Sequence, residues 1–156
     1  MDKVYLRTAQ WSDIDLLFNW ANDNEVRKNS FKTARINYED HKKWFEKCML
    51  SKDVDIYIFN LEVNPVGQIR LSYNNETAII SYSIAKKYRG QGFGRVLLNL
   101  IESELITARP DIKLLAGSVK LNNLHSQRVF EENGYEKEEC VDGNINFYTY
   151  TKKIII

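Results

Sequence analysis

The strongest constraint on this chain is a change of hydrophobic period around three closely spaced glycines. Residues 77–84 run apolar over a strand-like length, Gly90, Gly92 and Gly94 follow within five residues, and Phe93, Val96, Leu97, Leu100, Ile101 and Leu105 then recur on one helical stripe. Pro110 blocks continuation of that helix, and residues 112–119 are apolar enough for a buried strand. A strand, helix and strand joined this closely predict a right-handed crossover between parallel neighbours. A ligand is expected at the carboxyl ends of those strands.

The flanking segments complete the pattern. Val4 and Leu6 suggest a first strand. Ser12 is expected to cap a helix carrying Ile14, Leu17, Phe18 and Ala21, which the polar run Asn22, Asp23, Asn24 ends. A second helix begins at Asn37, with Asp40 near its positive end and His41, Trp44, Phe45 and Cys48 along one face. Residues 55–61, 66–73 and 77–84 read as an antiparallel meander, with breaks at Asn64-Pro65 and Asn74-Asn75. A last helix from about Asn122 ends at Asn133-Gly134, before strands near 135–140 and 145–151. The expectation is an α/β (α+β) fold: a mixed, mostly antiparallel sheet of about seven strands with helices on both faces.

Composition narrows the function. The chain has 156 residues, suited to a single domain over 1–156, and 22 basic against 21 acidic residues. That balance argues against a nucleic-acid binder driven by bulk charge, but leaves room for a local cationic pocket. Two separated cysteines and two histidines argue against a structural metal site, and no stretch has the apolar length of a membrane span or signal peptide. A cytoplasmic protein is expected. The terminal isoleucines and the segment 147–156 suggest an edge strand or a strand pairing between subunits, as in a homodimer.

The chemistry centres on Arg89-Gly90-Gln91-Gly92-Phe93-Gly94-Arg95. Glycines let backbone approach a ligand, the following helix aims free N–H groups and its positive end at the same place, and the two arginines add charge. A pyrophosphate fits such a nest, whereas a glycine turn on a solvated face is the plainer alternative. The GK[ST] of a P-loop is absent, and a dinucleotide fingerprint belongs in a first strand-helix unit rather than after a meander.

Arg89, Gly92 and Gly94 stand as R-x-x-G-x-G, and residues 122–135 resemble N-x-x-(S/A)-x-x-x-(Y/F)-E-x-x-G-(F/Y). With both motifs in order, the chain resembles the GCN5-related N-acetyltransferase superfamily. The resemblance implies acetyl-coenzyme A as cosubstrate; no metal is expected. It implies pairing of the pantetheine arm with the backbone of Ile84 and Ala85, phosphates cradled by Arg89 to Arg95, and Asn122 and Ser126 on the other side of the cofactor.

Two departures concern proton transfer. Phe130 stands where the superfamily often has an acidic tyrosine, and Ile79, on one face with Ser81 and Ser83, where many members have a basic glutamate. His41 is therefore the expected base, since an imidazole titrates near neutrality, with solvent as the alternative acceptor and Tyr82 or Tyr148 as substitute acids. A histidine on an aromatic stripe is equally suited to packing.

Residues 20–31 and His41-Lys42-Lys43-Trp44-Phe45 are similar to a subgroup acting on nucleotide-linked amino sugars, of the pseudaminic acid pathway type. The resemblance implies a small-molecule amine as acceptor, most specifically the 4-amino group of a UDP-linked 4-amino-4,6-dideoxy sugar. Asn22 and Asp23 would hydrogen-bond the acceptor, Arg27 would meet a phosphate, and Trp20, Phe31 or Trp44 would stack on a ring. A protein amino terminus and a non-catalytic acetyl-coenzyme A module are the competing readings. Convergence of Arg27, Trp44 and His41 opposite the glycine loop is the discriminating geometry.

Overall fold

The strands are β1 (Val4–Thr8), β2 (Val54–Leu61), β3 (Asn64–Asn74), β4 (Thr77–Ile84), β5 (Leu114–Lys120), β6 (Glu136–Asp142) and β7 (Ile145–Lys153), in a computed structural model that describes residues 3–155. They form one sheet in the order β1-β2-β3-β4-β5-β7-β6. Among the described residues only the β4–β5 pair is parallel, and α4 (Phe93–Ala108) makes the crossover between them. The mixed, mostly antiparallel seven-strand fold read from the sequence is thus the observed one.

Each face of the sheet carries its own core. On one, Leu97, Leu98, Ile101 and Leu105 of α4 and Val129 and Phe130 of α5 (Leu124–Glu132) bury the inward residues of the strands. On the other, α1 (Ile14–Ala21) and α3 (Tyr38–Leu50) cover mainly β2, where Leu17, Phe45 and Cys48 meet Ile56 and Ile58. The alternation along β3 follows from this: Val66, Ile69, Leu71 and Tyr73 are buried, while Gln68, Arg70 and Ser72 on the α3 face are half-buried.

Several boundaries differ from the sequence expectation. Ser12 does not cap α1; a short 3-10 turn precedes it, and Asp13 fixes that turn by accepting from the Gln10 N–H at 2.7 Å and from Nη1 and Nη2 of Arg7. A further helix, α2 (Asn24–Asn29), follows α1 because the Asp23 carboxylate accepts from the N–H groups of Glu25 and Val26. The β2–β3 turn lies at Glu62, with φ 54°, rather than at Asn64-Pro65, which begins β3 beside a bulge. Asn123, not Asn122, caps α5. The strand at 145–153 lies inside the sheet between β5 and β7's other neighbour β6, so β6 is the outer strand. Ile154 donates to the Lys113 carbonyl, and Ile156 lies outside the described residues.

Candidate active site

The site begins where the two parallel strands part. Pairing of β4 with β5 runs only from Thr77↔Leu114 to Ile80↔Gly117, yet β4 continues to Ile84 and β5 to Lys120. Side chains around α5 fill the fork. A Cβ on Gly117 would lie 2.5 Å from Cζ of Phe130, and the Tyr82 hydroxyl meets Ser126 Oγ at 3.1 Å. The facing strand edges beyond the fork have lost their ladder partners, which leaves backbone groups to be met by something else.

At the open end lies the glycine loop. Gly90 and Gly92 have φ of 77° and 82°, and no atom stands within 4 Å of a Cβ built on either, so conformation rather than crowding requires glycine there. Gly94 has a different task, since a Cβ there would meet Val129 at 3.3 Å; it lets α4 approach α5. Among the described residues the N–H groups of Phe93, Gly94 and Arg95 have no acceptor. They point from the first turn of a helix of 16 residues, as an anion site requires. Phe93 anchors the loop edge-on to Phe59 and Tyr88, Arg95 is exposed, and Gln91 bonds the Lys87 carbonyl.

Arg89 joins this loop to the N-terminal layer. Its Nε donates to the Ile84 carbonyl at 3.0 Å and its Nη2 to the Asp23 carboxylate at 2.7 Å. Burial works against the Asp23 charge, but the Arg89 bond and the α2 N–H groups outweigh it and hold the carboxyl below its usual range. A cavity of about 240 Å³ opens here, lined by Trp20, Asp23, Ser83, Ile84, Lys86 and Arg89 among others. Ala85 also borders it, but its N–H donates to the Val66 carbonyl at 2.7 Å. With the Ile84 carbonyl and the Ala85 N–H both engaged, the free strand edge lies within 81–84 rather than at Ala85.

Other expected residues are placed elsewhere. His41 is 2% exposed between α1 and α3, with Nε2 2.9 Å from the Ile14 carbonyl and its ring packed near Phe18 and Trp44. Burial lowers its pKa, and it does not line the cavity; the expected base is a packing residue. Asn22 exchanges two hydrogen bonds of 2.8 Å with the backbone of Ile36. Arg27 is committed to the carbonyls of Ala21, Lys32 and Ala34 and to Ser30 Oγ. Trp44 lies over β3, and Asn122 is exposed in the turn before α5. Arg27, Trp44 and His41 therefore do not converge opposite the glycine loop.

Two polar groups do stand near the fork. Burial raises the Tyr82 hydroxyl to about 12, only partly relieved by its bond to Ser126, so it keeps its proton across the neutral range. Arg70 on β3, opposite Ser81 of β4, holds its guanidinium 5.3 Å from the Trp44 ring. Sequence reading passed over Arg70, although the alternation of Gln68, Arg70 and Ser72 with Ile69, Leu71 and Tyr73 marks a polar stripe on a central strand. Ile79, which departs from the glutamate that the sequence resemblance would put at this position, is 44% exposed on the same face as Arg70.

Residues 3–136 match the family described as acetyltransferase (GNAT) domain. No curated protein sequence matches. Among solved structures, a domain from Methanocaldococcus jannaschii aligns with a TM-score of 0.84 at 22% identity, over 98% of this chain and 99% of that one. Spermidine N-acetyltransferase from Vibrio cholerae, in complex with CoA and spermine, aligns with 0.84 at 17%, over 97% and 95%. An acetyltransferase from Salmonella typhimurium that modifies the N-terminal serine of ribosomal protein L7/L12 aligns with 0.81 at 18%, over 97% and 95%. At these identities the likeness is one of fold.

Proposed function

Since the chain belongs to the acetyltransferase (GNAT) domain family, we propose that it transfers an acetyl group from acetyl-coenzyme A to the primary amine of a nucleotide-linked amino sugar. The carrying observation is the opening between β4 and β5 that ends at the unmet N–H groups of the glycine loop. An extended, amide-bearing arm fits the free strand edges within 81–84, and a pyrophosphate fits the N–H groups of Phe93, Gly94 and Arg95. Acetyl-coenzyme A, when bound, supplies an activated thioester.

The chain's own groups perform the rest. Tyr82, just beyond the last β4–β5 pair, carries a protonated hydroxyl that can donate to a departing thiolate. It takes the place left by Phe130, whose ring stands edge-on 6.0 Å away. No imidazole lines the cavity, and the face bearing Ile79, Ser81 and Ser83 is open, so water accepts the ammonium proton. A carbohydrate amine is less basic than a lysine side chain, which makes a dedicated base less necessary.

Trp20 on the cavity wall gives a stacking surface for a sugar or base ring, and the acidic lining residue, Asp23, is already paired with Arg89. That lining suits a sugar better than a cationic peptide terminus. Thiol release from acetyl-coenzyme A is measured with a UDP-linked 4-amino-4,6-dideoxy sugar, aminoglycosides and amino-terminal peptides in parallel, with product masses. One acetyl added to the nucleotide sugar alone is the expected result; acetylation of the peptides alone overturns the acceptor assignment. Tyr82→Phe lowers kcat roughly a hundredfold with little change in either KM if the hydroxyl is the acid.

A further inference from the structure

All but one of the eight arginines of this chain fall into two groups. Arg7, Arg27, Arg89 and Arg109 satisfy their guanidinium groups with carboxylates or backbone carbonyls, and Arg35, Arg95 and Arg128 lie at exposed positions. Arg70 belongs to neither. It is half-buried in the centre of β3, and its guanidinium makes no hydrogen bond or ion pair among the described residues. A guanidinium partly covered by protein and lacking a counter-charge keeps N–H groups available to an anion. Its surroundings offer none: Trp44 and Cys48 face it from α3, and Ser81 and Ile56 flank it on the neighbouring strands.

Its position connects it to the site. Ser81 begins the part of β4 that has left β5, and Gln68, two residues from Arg70 on the same face, donates to Ser83 Oγ on the cavity wall at 3.2 Å. A guanidinium held over an aromatic ring keeps its N–H edges free for a planar, two-point acceptor.

We infer that Arg70 is a specificity-determining residue that takes an oxyanion of the acceptor, a phosphate or a carboxylate carried close to the reacting amine. This rests on the acetyl-transfer reading and narrows its substrate class: an acceptor with a negative group is drawn to this face, while a polycationic amine meets an uncompensated positive charge.

The test uses protein saturated with coenzyme A, so that the glycine loop is filled. UDP and glucuronate are titrated in separately by calorimetry, and Arg70→Met and Arg70→Lys are compared with wild type, with thermal melting as the control for folding. The expected result is saturable binding of one anion, weakened roughly tenfold to a hundredfold in Arg70→Met and less in Arg70→Lys. Preference for UDP identifies phosphate as the source, and preference for glucuronate identifies carboxylate. Failure of both anions to bind wild type, or equal binding to all three folded proteins, overturns the inference.

Turnover separates this inference from the broader reading. Acetylation of the UDP-linked amino sugar with the same KM in wild type and Arg70→Met sinks the role of Arg70 and leaves the nucleotide-sugar reading intact. Arg70-dependent acetylation of a carboxylate-bearing amino sugar, with the nucleotide sugar inert, does the reverse.

Discussion

The glycine loop and the α1–α3 layer treat polar atoms in opposite ways. At the loop, backbone geometry leaves donors unmet: Gly90 and Gly92 turn the chain through left-handed conformations, and the first N–H groups of α4 end without acceptors. In the N-terminal layer, side chains that look available in the sequence are consumed by the fold. Asn22 holds Ile36, Arg27 holds three carbonyls, and His41 faces the Ile14 carbonyl. A short helix and an irregular segment have many backbone groups without regular partners, and polar side chains nearby are the cheapest way to satisfy them. A glycine motif therefore keeps its meaning in the folded chain better than a polar motif does.

The contrast can be attacked first at Arg27. Arg27→Met removes the bonds that fasten residues 32–34 to α1 and should cost about 2 kcal/mol of stability, read from urea denaturation. If Arg27 instead met a phosphate, the larger change would be in acceptor KM, with a weakened dependence on salt.

Gly92→Val comes next. The φ of 82° forces a β-branched residue into strain of roughly 1–2 kcal/mol. Open space around the position means that no clash adds to it. Acetyl-coenzyme A affinity should fall more than stability does, and Gly92→Asn should be milder because asparagine tolerates the left-handed region. Equal affinity in Gly92→Val and wild type would remove the loop from the binding site.

The smallest effect belongs to His41 and is visible only against pH. Burial depresses its folded pKa below the ordinary imidazole value of about 6.5, so the unfolded chain binds the extra proton as pH falls through about 6.5. Its share of stability is intact above that value and is lost progressively below it, down to the depressed folded pKa. In His41→Gln the stability difference between about pH 7.5 and about pH 5 should shrink, and turnover at neutral pH should persist. A variant that folds but loses turnover would restore the histidine as a base.

Much of the architecture could be read from hydrophobic period alone. The crossover through α4, the meander and the two-sided helix arrangement all follow from it, because strand and helix spacing report burial directly. The short α2 escaped: its six residues have no apolar stripe, and only the capping geometry of Asp23 forms it. α5 begins slightly later than the expected start near Asn122, since two adjacent asparagines look alike until one carboxamide, that of Asn123, accepts the Ser126 N–H.

By itself the sequence determined the order of the strands and of the longer helices and the position of the glycine loop, because these depend on residue identity and local spacing. Only the tertiary structure decided which polar side chains remain free. That depends on partners distant in the chain: Asp23 for Arg89 across 66 residues, Ser126 for Tyr82 across 44, and for Arg70 the lack of any among the described residues. Hydrogen-bond satisfaction is settled by three-dimensional neighbours, and no local pattern reports it.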